Sequence, residues 1–144
     1  MNIKYQRIDE RLFHGQVLCF FKQYQCQKVV CVTNSNDVDL LCCLSCCQDV
    51  VVMTSDKYNN CILDEDVVVV YEDLYTYYLC NENDVDLCIG GIYQLGENKK
   101  YYARGLFLND EEISYLRFIN KSKRVYYQID VNEEEVDILK IIGE

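Results

Sequence analysis

Apolar runs of strand length recur along the chain at 3–8, 29–32, 50–53, 67–71, 85–89, 105–108 and 125–129. Several are unbroken in Val, Ile, Cys and Tyr, and a strand without polar alternation is one buried on both faces. Segments with helical spacing separate them. Val17, Phe20, Phe21 and Tyr24 share one helix face. Ile113, Leu116, Arg117 and Asn120 mark a second, less pure one, and Val136, Leu139 and Lys140 a third. The segment 37–48 is apolar nearly all round, with Ser35 or Asn36 placed to cap it. A helix without a polar face is either buried or turned toward a partner, and burial is the expectation here.

Alternating strands and helices predict an α/β fold, an open, mostly parallel sheet with helices on both faces. Ligands of such sheets bind outside the carboxyl ends of the strands, which puts 7–16, 33–36 and 90–91 on one rim. The chain has 144 residues, half of them hydrophobic, with no repeat, no linker and no proline, so 1–144 reads as one domain.

Residues 1–11 are too polar for a signal peptide, and no apolar stretch reaches the roughly 18 residues of a membrane span, so a cytoplasmic location is expected. In a reducing compartment the ten cysteines read mostly as small apolar side chains. Cys42, Cys43, Cys46 and Cys47 crowd one segment without the second ligand pair of a zinc module, so no metal is expected. The net charge of −10 argues against nucleic acid. Charge is uneven, however: through residue 30, Lys4, Arg7, Arg11, Lys22 and Lys28 face only Asp9 and Glu10. A small cationic patch on an acidic body suits a small anion. The thirteen tyrosines are spread out and most should cover core edges, and the run 132–135 should cap and charge the last helix.

The chemistry gathers in Arg7-Ile8-Asp9-Glu10-Arg11-Leu12-Phe13-His14-Gly15-Gln16-Val17, which leaves a strand and enters an amphipathic helix. His14 and the amides after it then stand at a helix start, where an anion is favoured. Arg7 and Arg11 present planar forks of donors suited to phosphate oxygens, and Gly15 removes a Cβ from the turn. His14 is the only histidine. Imidazole is a competent nucleophile toward phosphorus near neutral pH. No lysine-bearing Walker loop is present, so an ATP-dependent kinase is not supported.

The stretch Arg7-x-Asp9-x-Arg11-Leu12-x-His14-Gly15-Gln16-Val17 resembles the signature of the IIB components of the mannose, fructose and sorbose family of the phosphoenolpyruvate-dependent sugar phosphotransferase system. Val29 to Asn34 resembles that family's second strand with its polar rim pair, here Thr33-Asn34. Ile89-Gly90-Gly91 resembles its double-glycine turn, and 108–112 followed by 125–128 its last helix and strand.

The resemblance implies that His14 accepts a phosphoryl group on Nδ1 from a IIA phosphohistidine and passes it to a sugar at the IIC and IID membrane components. The protein would then associate with the membrane through those partners. Arg11 would stabilise the phosphoryl group, with Arg7 a second candidate, Asp9 orienting an arginine or the loop, and no cofactor needed. Gly15, Gln16, Thr33, Asn34, Gly90 and Gly91 would complete the binding rim. The sequence departs from the family in three places. Phe21 stands for the usual tryptophan, Asn34 replaces an acidic rim residue, and 54–65 is short enough to imply a reduced crossover helix. A regulatory relative without sugar delivery and a redox or metal protein built on the cysteines are the competing readings.

Overall fold

The computed structural model describes residues 1–93, 96 and 98–143. Within them the chain runs β1 (Asn2–Ile8), α1 (Gly15–Gln23), β2 (Lys28–Val32), α2 (Val38–Ser45), β3 (Val50–Met53), α3 (Ser55–Asn59), β4 (Asp66–Tyr71) and α4 (Leu74–Leu79). It continues through β5 (Leu87–Ile89), β6 (Lys100–Ala103), β7 (Leu106–Leu108), α5 (Asp110–Ile119), β8 (Val125–Tyr127), β9 (Val136–Asp137) and α6 (Ile138–Ile142). Seven of these strands form one sheet in the order β3-β2-β4-β1-β5-β8-β9, parallel except for β9. The predicted α/β class therefore holds.

The unbroken valine runs have the expected cause. Along β4, Val67, Val69 and Tyr71 enter one core with α3, α4, α5 and α6, while Val68 and Val70 enter the other with α1 and α2. Both sheet faces are covered, so neither set of alternate positions is left to water. The chain leaves β1 toward one face, whereas its two neighbours, β4 and β5, send their connections to the other. The carboxyl end of β1 is thus a point where connections diverge, the usual place for a site on such a sheet.

Several expectations are corrected. The run at 105–108 does form a strand, but it pairs antiparallel with β6 in a separate hairpin instead of joining the sheet. The helix in 37–48 is not buried: only Leu44 is fully enclosed, Val38 is 69% exposed, and Cys42, Cys43 and Cys46 face outward. It lies over β3, the last strand of the sheet, where there is too little sheet to cover an all-round apolar surface. Its cap is Asp37, whose carboxylate accepts from the Asp39 and Leu40 amides, and neither Ser35 nor Asn36.

The acidic run 132–135 does not cap a helix either. It precedes β9, and Glu133 and Glu135 pair with Arg104 and Arg124, while Asp137 caps α6. The reduced crossover expected at 54–65 is α3, a helix of 5 residues. Among the described residues no helix is long and apolar enough to cross a membrane.

Candidate functional site

The turn from β1 into α1 is built locally. The Asp9 carboxylate accepts from the Arg11 amide at 3.0 Å, and the Asp9 carbonyl from the Leu12 amide at 3.0 Å. Leu12 takes a left-handed conformation, φ 56°, that costs an ordinary residue about 1–2 kcal/mol. Its side chain is fully buried in the core with Val17 and Phe20, and burial of a leucine contributes about 1.5–3 kcal/mol, enough to offset the strain. Leu12 thereby pins the loop, and His14 becomes the N-cap of α1.

Asp9 is the centre of the site. It is fully buried and accepts five hydrogen bonds. One oxygen takes the Arg11 amide at 3.0 Å and Nε at 2.9 Å; the other takes Arg7 Nε at 3.0 Å, Arg11 Nη2 at 2.8 Å and His14 Nε2 at 3.1 Å. Burial alone would raise its pKa, but the bonds from His14 and Arg11 and the charge of Arg7 outweigh it, holding the carboxyl below the usual range. An ionised carboxylate can only accept, so His14 Nε2 carries the proton and Nδ1 the lone pair. Nδ1 faces the helix start, with the Gln16 amide 3.3 Å away.

The two arginines divide their work. Arg7 has no exposed surface: its Nη1 donates to the Gln128 carbonyl at 2.7 Å and to Tyr5 Oη at 3.2 Å, and its Nη2 to the Ile129 carbonyl at 2.6 Å. Expected as a second phosphate-facing arginine, it instead reaches the rim only through Asp9. Arg11 is 34% exposed, held flat by Asp9 and over the Tyr93 ring at 5.6 Å. Its hydrogen bonds to Asp9 outweigh its partial burial and raise its pKa, so it stays cationic.

Gly90 and Gly91 have steric explanations. A Cβ on Gly90 would lie 2.4 Å from Arg7 Nε, and one on Gly91 would lie 2.2 Å from the Tyr93 ring. A Cβ on Gly15 would meet nothing within 4 Å, so packing does not require that glycine. Gln16 ties α1 to the loop after β8, accepting from the Val131 amide at 2.8 Å.

Thr33 and Asn34 share the rim but follow β2, which β4 separates from β1, and strands two apart lie about 9–10 Å away. Thr33 donates to Glu72, and Asn34 binds the start of α3 at Ser55. The acid beside Thr33 thus comes from the end of β4. Sequence reasoning missed Tyr93, Tyr5 and the carbonyls of Gln128 and Ile129. An aromatic two residues after a double glycine was the available signal for Tyr93; nothing local marks the carbonyls.

Cys31, Cys88, Cys26 and Cys80 are buried, while Cys19, Cys42, Cys43 and Cys46 are exposed. No group of three or more His, Cys, Asp or Glu side chains among the described residues is arranged to hold a metal ion.

Fold and rim together define an open α/β protein with one histidine, its lone-pair nitrogen at a helix start and its other nitrogen on a buried carboxylate. Solved structures that it resembles include IIB domains and components of phosphotransferase systems. The IIB domain of the sorbose permease from Klebsiella pneumoniae aligns with TM-score 0.81 and 22% identity over 99% of this chain and 97% of that one. For manxB from Thermoanaerobacter tengcongensis the TM-score is 0.84 at 19% identity, over 99% and 96%. For the N-acetylgalactosamine-specific IIB component 1 from Escherichia coli it is 0.77 at 20%, over 94% and 99%. No family model and no curated protein matches the sequence.

Proposed function

We propose that this chain is a IIB component of the mannose, fructose and sorbose family and carries a phosphoryl group on His14. The observation that carries the reading is the pair of contacts on that ring, Nε2 on Asp9 at 3.1 Å and Nδ1 by the Gln16 amide at 3.3 Å, with Arg11 on the same carboxylate. The shared fold with IIB domains supports it.

In the forward step the Gln16 amide gives up its hydrogen bond to Nδ1, and the freed lone pair attacks the phosphorus of a phosphohistidine on IIA. The new N–P bond forms as the donor N–P bond breaks, and its electron pair returns to the donor ring. Arg11 and the first amides of α1 face the equatorial oxygens, where phosphoryl transfer most needs charge stabilisation. Because Nε2 keeps its proton, the phosphorylated ring carries positive charge opposite the Asp9 carboxylate. That charge makes the ring a good leaving group when a sugar hydroxyl attacks the phosphorus at the IIC and IID components. The hydroxyl proton then goes to solvent, and Nδ1 recovers its lone pair.

Incubated with phosphoenolpyruvate, the general phosphotransferase proteins and a cognate IIA, the protein should gain one phosphoryl group, labile in acid and persistent in base. His14→Gln should fold and accept none, since an amide is not a nucleophile. Labelling of that variant, or none of the wild type with a confirmed donor, would defeat the reading.

A further inference from the structure

Delivery to a sugar releases a hydroxyl proton that the groups on His14 are poorly placed to take. Asp9 already accepts five hydrogen bonds, and its carboxyl is held below the usual range. Arg7 and Arg11 are cations, and a ring phosphorylated on Nδ1 with a proton on Nε2 has no lone pair to offer. A hydroxyl in line with the breaking N–P bond also lies beyond the phosphorus, away from the ring, so its base belongs on a neighbouring element.

Such a carboxylate stands one strand over. Side chains two apart along a strand share a face. Tyr5, Arg7 and Asp9 lie on the α1 face of β1, where Arg7 bonds to both others and packs over Phe20. Val68 and Val70 lie on that face of β4, and Val29 and Cys31 on that face of β2. One more step of the alternation puts Glu72 and Thr33 on the face of Asp9, just past the strand ends. The backbone keeps the strands in register there, the Asp9 amide donating to the Tyr71 carbonyl at 3.0 Å and the Glu72 amide to the Val32 carbonyl at 3.1 Å. Asp9, Glu72 and Thr33 thus form a row across β1, β4 and β2, whose spacing is about 4.8 Å per strand. Glu10, the other acid of the loop, borders a cleft with Tyr75, Tyr78 and Tyr115 on the opposite face.

Glu72 is fixed at one oxygen only. The hydroxyl of Thr33, a residue 2% exposed, donates to Oε2. Oε1 has no partner among the described residues, and the side chain is partly exposed. A carboxylate oriented by a buried donor, with its second oxygen open, is arranged to accept a proton.

We propose, resting on the function given above, that Glu72 is the general base of the delivery step and Thr33 the residue that positions it. Oε1 takes the proton of the sugar hydroxyl as that oxygen attacks the phosphorus on His14. The O–P bond forms while the N–P bond breaks, the N–P electron pair returns to Nδ1, and Glu72 passes the proton on to solvent. The earlier transfer, from one histidine to another, moves no such proton, so Glu72 serves one half of the cycle.

The test uses the full chain, labelled on His14 from phosphoenolpyruvate through the general proteins and a cognate IIA. It is then mixed with vesicles holding the IIC and IID components and offered mannose, fructose, sorbose or N-acetylgalactosamine. Glu72→Gln keeps an acceptor for the Thr33 hydroxyl and should fold, yet its delivery should slow by about two to four orders of magnitude. That loss should exceed any loss in labelling by IIA by about 100-fold or more. Delivery by Glu72→Ala should recover as formate is added, because a small carboxylate can stand in for a base but not for a structural brace. Wild-type delivery by Glu72→Gln, or equal slowing of both steps with no response of Glu72→Ala to formate, would overturn the inference and leave the phosphocarrier reading intact. A wild type that takes no label from a confirmed donor would overturn both.

Discussion

Replacing Asp9 by asparagine is the sharpest probe of the site, because the two side chains match in shape and differ in charge and donor count. One carboxylate oxygen accepts from the amide and Nε of Arg11, the other from Arg7 Nε, Arg11 Nη2 and His14 Nε2. Whichever way the new amide turns, its NH2 faces at least two donors. Breaking a buried ion pair by neutralising one partner typically costs about 3–5 kcal/mol. Arg7 keeps the Gln128 and Ile129 carbonyls, which argues for the lower end, about 3 kcal/mol. In a domain of this size that lowers the melting temperature by about 6–12 °C.

The same substitution removes the fixed acceptor at Nε2, so the ring can place its proton on Nδ1 and lose the lone pair needed for attack. Where a carboxylate holds a catalytic histidine's tautomer, such a loss costs about two to four orders of magnitude in rate. Rapid-quench measurement of exchange with phosphorylated IIA and denaturant unfolding would read the two effects separately.

Their pH dependence follows from the lowered pKa of Asp9. Its contribution is fully present above the unfolded carboxylate value of about 3.9 and is lost as pH falls through the lower folded value. The stability gap between wild type and variant should therefore be constant from pH 7 to about pH 5 and close only below about pH 4. A variant as stable as the wild type and exchanging at its rate would refute the central place given to Asp9.

Arg11→Gln should slow exchange with IIA by about two to three orders of magnitude, as loss of one charge-stabilising donor does, and lower stability by about 1–3 kcal/mol, because it takes two charged hydrogen bonds from the buried Asp9 carboxylate. Gly90→Ala should destabilise by about 3 kcal/mol or more in denaturant unfolding, since a Cβ 2.4 Å from Nε forces Arg7 out of its buried bonds; Gly15→Ala should leave stability unchanged. In timed alkylation of the native protein, Cys19, Cys42, Cys43 and Cys46 should react first. Cys31, buried and with its pKa pushed up to about 12, should react only on unfolding, and early labelling of it would contradict the packing between β2 and α1.

The unbroken valine runs were enough to determine a two-faced parallel sheet, because burial on both sides leaves no polar register to confuse. The stretch from Arg7 to Val17 likewise marked the rim, since a sole histidine, two arginines and a glycine lie within one strand-to-helix turn. By residue type and spacing the two arginines look alike, four residues apart, and only the family resemblance ranked Arg11 ahead of Arg7. Tertiary structure separates them: the carbonyls of Gln128 and Ile129, more than 120 residues downstream, claim Arg7, while Arg11 is left at the surface. Gly90 read as a turn or a phosphate contact until the guanidinium packed against it supplied the reason. The helix at 37–48 failed for the same cause, since an apolar face shows what a helix could bury but not how much sheet lies beneath it. Contacts between distant segments decide such matters, and neither local periodicity nor spacing carries them.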